Sequence, residues 1–279
     1  MFINPGRTFQ GKILIIAPHM DDEILACGGT MALLPDKKRI HLIYATDGTK
    51  SPSPIVPWRD AIGPDLGQIR IKESQAALQL LGIPCANAHF LRLPEAELQR
   101  YKADLRRFLV ELIEQIQPAY IFIPFRYDRH PDHLAINHVI TAVHSQSHWQ
   151  SQLIEYFVYY RWRLLPARDV RRYINPNHLL EVDTTKVINQ KRSALDCFRS
   201  QTTHFYPWQT RPILTSLLLE EVSQTPELFL QSSSRFPGPS VFTKAVFWIR
   251  FVHRVEPFLQ KSKYFVGAFL RRATRSNGK

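Results

Sequence analysis

An α/β fold, a mostly parallel sheet flanked by helices, is what this sequence predicts. Three observations predict it. Short apolar runs alternate with segments of helical period through the first half of the chain. Two of those runs lead straight into stretches rich in aspartate and histidine. The 279 residues, 44% of them apolar, supply a core for one large domain with an appendage.

Each element follows in order. Lys12–Ala17 is a buried-strand candidate and Glu23–Leu34 a helix that contains Gly28 and Gly29. Ile40–Tyr44 reads as a second strand, and Lys50–Pro64, with four prolines, as a loop. Gln68–Leu81 has helical spacing and stops at Gly82 and Pro84. His89–Leu91 is a short strand, Ala96–Gln115 a long amphipathic helix, and Tyr120–Pro124 another strand. A helix follows around His133, with Pro131 suited to its first turn. Beyond His148, "LIEYFVYYRW" reads as strand, and Thr184–Arg199 as a helix capped by Thr184 or Asp183. The expected division is a domain over 1–230, a linker over 231–240 ("QSSSRFPGPS") and a basic C-terminal helical extension over 241–279.

Composition excludes several classes. Three cysteines, Cys27, Cys85 and Cys197, imply no disulfide framework. The first residues lack a basic segment followed by an apolar one, so no signal peptide is expected. No apolar run reaches the length that spans a bilayer. Gly28 and Gly29 do not form a dinucleotide fingerprint. The net charge is +12, and nine basic residues against one acidic residue after position 240 carry +8 of it. No nucleic-acid module accompanies that charge, so no nucleic acid is expected as a partner.

The chemistry lies in two motifs. "PHMDDE" ends the first strand and "DRHPDH" follows the fourth. Ligands in parallel sheets bind beyond the carboxyl ends of strands, where the two stretches can meet. Adjacent carboxylates repel unless a cation or proton lies between them. His19, Asp22 and His133 offer two nitrogens and one oxygen, the donor set of a catalytic zinc site with an open position. Iron(II) and cobalt(II) accept the same donors.

These motifs resemble the PIG-L (LmbE-like) zinc-dependent N-deacetylases, whose pattern is "(A/P)HPDDE", "GGT" and then "D-x-H-x-D-H". Further echoes are Thr46–Gly48, Arg70 with Glu73, and Lys191 with Ser200 and Gln201. The resemblance runs roughly from Gly11 to Gln201 and leaves out the tail. It implies a Rossmann-like domain that hydrolyses the N-acetyl group of an N-acetylglucosamine-type sugar or glycoconjugate and releases acetate. It implies that His19, Asp22 and His133 hold Zn2+, that Asp21 is the general base, and that His130 polarises the carbonyl or protonates the leaving amine, with Asp132 orienting it. It makes Arg70 the substrate-binding arginine. Met20 stands where the family commonly has proline, which predicts a less rigid turn.

Simpler readings stand beside these. Asp21 can cap the helix that follows. Arg70 can pair with Glu73 on a solvated face. Cys27 reads as a small buried residue. A metal-dependent amidohydrolase of a non-sugar N-acyl metabolite, and a catalytically silent glycolipid-binding protein of the same fold, stay open. Within Val241–Arg254, Thr243, Arg250 and Arg254 share a helical stripe, with Phe247 among them. One reading lays this helix on an anionic membrane; the other packs it on the domain with its charges in water. A cytoplasmic protein is expected, with peripheral contact at the inner face of the membrane under the first reading.

Overall fold

The computed structural model describes residues 1–52, 65–162, 164–223, 226–232, 241–243 and 245–255. The strands are β1 (Ile13–Ala17), β2 (Ile40–Thr46), β3 (Ala88–Leu93), β4 (Tyr120–Pro124), β5 (Gln152–Tyr156), β6 (Leu179–Val182) and β7 (Glu227–Ser232). The helices are α1 (Pro5–Thr8), α2 (Asp22–Leu33), α3 (Leu66–Leu80), α4 (Lys102–Ile116), α5 (Pro131–Gln146), α6 (Ile188–Asp196), α7 (Arg199–Thr202) and α8 (Ser216–Val222).

The strands form one seven-stranded sheet in the order β3-β2-β1-β4-β5-β7-β6. The first five are parallel, whereas β7 runs antiparallel to both β5 and β6. All five residues of β1 are buried, as a strand covered on both faces requires. On one face Leu14, Ile16, Ile121 and Ile123 pack with Leu105, Leu109 and Ile113 of α4 and Ile136 and Ile140 of α5. On the other, α2 and α3 pack with α6. Chain connections leave β1 and β4 in opposite directions across the sheet, so a crevice opens beyond their carboxyl ends.

The two halves of α2 serve different ends. In its second half, Gly29 lies where a Cβ would come within 2.5 Å of Thr184. That close approach lets Glu227, on β7, accept hydrogen bonds from Gly29 N–H (2.7 Å), Thr30 N–H (2.7 Å) and Thr30 Oγ1 (2.6 Å). Lys191 Nζ closes the group on Glu227 at 2.8 Å and on the Leu25 carbonyl at 2.9 Å. The "GGT" and Lys191 echoes are thus a buried clasp between α2, α6 and β7.

Several elements differ from the sequence reading. The long helix begins at Lys102, not Ala96. The Asp132 carboxylate takes the N–H groups of Ala96 (2.7 Å) and Leu98 (3.1 Å), and Ala96 adopts φ +63. A side chain from elsewhere in the chain thus holds those residues in a turn. The strand expected over "LIEYFVYYRW" ends at Tyr156. The helix expected from Thr184 is α-helical only from Ile188 to Asp196, after a single 3-10 turn.

The chain divides into two compact units. Met1–Val158 with Pro176–Pro237 contains the whole sheet. The second unit joins Tyr159–Asn175 to the chain from Gly238 onward. In it Ile174 bridges Phe242, Asn175 N–H donates to the Val241 carbonyl, and Thr243 N–H donates to the Tyr173 carbonyl. A helical stretch covers 246–255. Most of the expected linker, and the extension from 256, lie outside the described residues.

Candidate active site

The loop after β1 is held from several sides. Thr46, at the end of β2, donates from its N–H (3.1 Å) and its hydroxyl (2.8 Å) to the Pro18 carbonyl. Met20 is fully buried against Gly48 and Arg70. Its carbonyl accepts a 2.8 Å hydrogen bond from Arg70 Nη2. The turn that lacks the family proline is thus fixed by packing and by a guanidinium.

Asp21 sits at the N-cap of α2 with φ 143 and ψ −28, a conformation costly for a residue with a Cβ. Glu23 braces it: Oε2 accepts the Asp21 N–H at 3.0 Å, while Oε1 accepts from Tyr44 Oη at 2.9 Å. The Asp21 side chain makes no capping bond to its own helix. Its carboxylate lies 3.4 Å from Arg70 Nη2. Burial pushes its pKa up to about 7, against the pull of Arg70. A carboxylate poised there can take a proton at neutral pH. Burial likewise lifts Glu23 to about 8.

Asp22 is the hub. Its Oδ2 accepts from His19 N–H at 3.0 Å and lies 3.1 Å from His19 Nδ1 and 3.2 Å from His133 Nε2. Each imidazole has a carboxylate behind it: Asp132 Oδ2 is 3.2 Å from His19 Nε2, and Asp128 Oδ2 is 3.2 Å from His133 Nδ1. Burial opposes charge on His19, but Asp132 and Asp22 outweigh it and push its pKa up to about 9. Burial also opposes charge on His133, and Asp128 and Asp22 raise it well above the ordinary range. Burial would raise Asp22, yet His133 and His19 hold it well below its usual value.

These residues fit a metal ion. Two ligands of a tetrahedral ion with bonds of about 2.0 Å lie about 3.3 Å apart. Asp22 Oδ2 stands at nearly that separation from one nitrogen of each imidazole. Carboxylates backing two imidazoles supply the second shell of such a centre. Nitrogens of His19, His130 and His133 also lie within 4.8 Å of one another. The site is therefore competent for a metal.

His130 caps α5, its Nδ1 accepting the Asp132 N–H at 3.2 Å. In the neutral ring that places the proton on Nε2. The Asp132 carboxylate, 4.0 Å from His130 Nδ1, lies closer to His19 Nε2, at 3.2 Å. Burial, together with the charges of His19 and His133, lowers His130 to about 4.

Arg70 is 1% exposed. Besides Met20 and Asp21 it faces Glu95 at 3.7 Å and the Ser51 carbonyl at 3.5 Å. Glu73 pairs instead with Ser200, from both N–H (2.7 Å) and Oγ (2.6 Å), and Gln201 donates to the Ser51 carbonyl at 2.9 Å. Cys27 is buried. The sequence reading missed three residues: Asp128 behind His133, Glu23 beneath Asp21, and Glu95 beside Arg70. Asp128 had a signal, the first letter of "DRHPDH", but its partner is set only by the fold.

The class is thus an α/β protein with a His/Asp centre, competent for a metal, at the switch point of its sheet. Residues 14–144 match the PIG-L family model, described as GlcNAc-PI de-N-acetylase. Diacetylchitobiose deacetylase of Thermococcus kodakarensis is 30% identical over 136 residues, 47% of this chain and 48% of that protein. The chain therefore spans about half the length of that curated relative. Among solved structures, N,N'-diacetylchitobiose deacetylase of Pyrococcus horikoshii matches with TM-score 0.60 and 22% identity over 84% of this chain and 87% of that one. The 4-carboxy-2-hydroxymuconate hydratase of Pseudomonas putida KT2440 matches with TM-score 0.56 and 17% identity, covering 82% of this chain and 98% of its own. At these identities the structures establish the fold; the site has to argue the reaction.

Proposed function

We propose that this chain is a metal-dependent N-deacetylase that removes the acetyl group from an N-acetylglucosamine-type sugar or glycoconjugate and releases acetate. One observation carries the reading: Asp21 is buried, held in a strained turn, unpaired with its own helix and next to Asp22, which bridges His19 and His133. The family description and the deacetylase relative support it.

His19, Asp22 and His133 hold the metal, zinc in this proposal. The ion supplies a Lewis acid and lowers the pKa of water from 15.7 to about 7. Asp21 accepts the proton of the attacking water. Neutral His130, with its proton on Nε2, donates a hydrogen bond toward the acetyl oxygen, and the proton that Asp21 has taken passes to the departing amine. Asp132 and Asp128 fix the two ligand imidazoles. Arg70 binds the substrate in this proposal and also holds Asp21 and the Met20 carbonyl. The domain over 1–230 carries the reaction, 231–240 joins it to the extension over 241–279, and the protein is cytoplasmic.

The test is amine release from a panel of N-acetylglucosamine conjugates, free and lipid-linked, by metal-loaded protein. Release that needs both metal and Asp21 supports the reading. Turnover only of non-sugar N-acyl compounds makes the protein another amidohydrolase. Binding without turnover makes it a silent glycolipid binder.

A further inference from the structure

The helical stretch 246–255 has apolar residues on two sides. Ile249 and Val252 are buried. Phe247 is 56% exposed, Phe251 57% and Trp248 37%. The three rings form one cluster, with Trp248 4.9 Å from Phe247 and 6.2 Å from Phe251. At 100° per residue, Phe247 and Phe251 lie within about 40° of each other, with Arg254 and Arg250 on one flank and Trp248 on the other. Arg250 and Arg254 are exposed. The sequence pattern alone makes Phe247 a flaw in a polar stripe. With the inner side already filled by Ile249 and Val252, the aromatic side is a second face.

From this face we propose that the stretch docks the protein on an anionic lipid bilayer, Phe247, Trp248 and Phe251 entering the interface and Arg250 and Arg254 meeting lipid headgroups. Burying three exposed rings removes apolar surface from water, and amphipathic aromatics such as Trp favour the headgroup level. Arginines beside them select negative charge. The chain after position 240, which carries +8 of the net +12, adds to that attraction. No helix among the described residues is long and apolar enough to cross a membrane, so the contact is peripheral. The proposal does not depend on the deacetylase reading and needs no turnover to test.

The experiment is sedimentation of the full chain with vesicles of phosphatidylcholine alone or with about 30 mol% phosphatidylserine. Binding is expected to the anionic vesicles only, weakening as salt rises from about 0.1 to 1 M. A Phe247→Ser, Phe251→Ser double variant should bind at least about tenfold more weakly. Its thermal unfolding should stay unchanged, because both rings are exposed. An Arg250→Gln, Arg254→Gln variant should lose part of the salt dependence. Failure of the wild type to sediment with anionic vesicles overturns the proposal. So does equal binding by the double phenylalanine variant, which would leave charge alone as the cause. A concentration-dependent dimer that the double variant abolishes, with no vesicle binding, would assign the face to a second copy of the chain instead.

Discussion

The two ends of α2 both bury charge, and they do so in opposite ways. At Gly29–Thr30, Glu227 receives three hydrogen bonds from α2 and an ion pair from Lys191. Every partner has a matching group, and the result is a clasp. At Asp21–Glu23, three carboxylates crowd one turn. One holds a strained backbone, one has its pKa lifted to about 7, and one sits between two imidazoles. Burial of charge alone therefore does not mark a site. What marks it is charge left poised by strain and by incomplete local pairing.

The sharpest way to break the comparison is to remove a ligand at the poised end. His133→Ala should lose metal and activity together, read by metal content and by amine release. Stoichiometric metal in a His19→Ala, His133→Ala double variant would sink the ligand assignment. The next effect separates base from ligand. Asp21→Asn should keep the metal, because Asp22 remains, while turnover falls by roughly 10²–10⁴. If Asp21→Asn loses the metal instead, the two aspartates have exchanged roles.

How much of this was legible in the sequence follows from the kind of information each feature uses. β1, β2 and β4 are continuous apolar runs, and "PHMDDE" and "DRHPDH" sit at fixed offsets from strand ends, so local pattern suffices. β6 and β7 were missed because their pairing is antiparallel and distant, and because Glu227, a charged residue at the start of β7, reads as a surface position until Lys191 and α2 cover it. The late start of α4 was missed for the same reason, since Asp132 holds Ala96 and Leu98 from another element. Spacing puts Asp128 and Asp132 near two histidines but cannot say which faces which ring. Arg70 has helical neighbours that suggest a surface pair, whereas the fold turns it under Asp21.

At the clasped end the expectation reverses. Glu227→Gln leaves Lys191 without its charge partner in a buried place and sets an amide NH2 against the N–H of either Gly29 or Thr30. Removing one member of a buried pair costs about 3–5 kcal/mol. Denaturant unfolding should show that loss, while turnover per folded, metal-loaded molecule stays at the wild-type level. A turnover loss as large as that of Asp21→Asn, in protein still folded, would make the clasp part of the site.

The smallest effect is the one most specific to the contrast. Asp21 has its folded pKa raised from 3.8 to about 7, chiefly by burial. The native state therefore holds a proton that the unfolded chain has released between those two values, and the charge destabilises the fold as pH rises through that window. Asp21→Asn removes the charge and keeps the shape. In metal-free protein the variant should match the wild type near pH 4, gain on it as pH rises to about 7, and hold a steady advantage above that. Strain in the turn remains in both, and neighbouring groups relax around the charge, so the gain should be about 1–3 kcal/mol. Thermal unfolding of the two proteins across that range measures it. A variant that is less stable than the wild type at pH 8 would mean that the Asp21–Arg70 contact outweighs the cost of burial. The turn would then resemble the clasp at the other end of α2, with Asp21 stabilising the fold rather than being held against it.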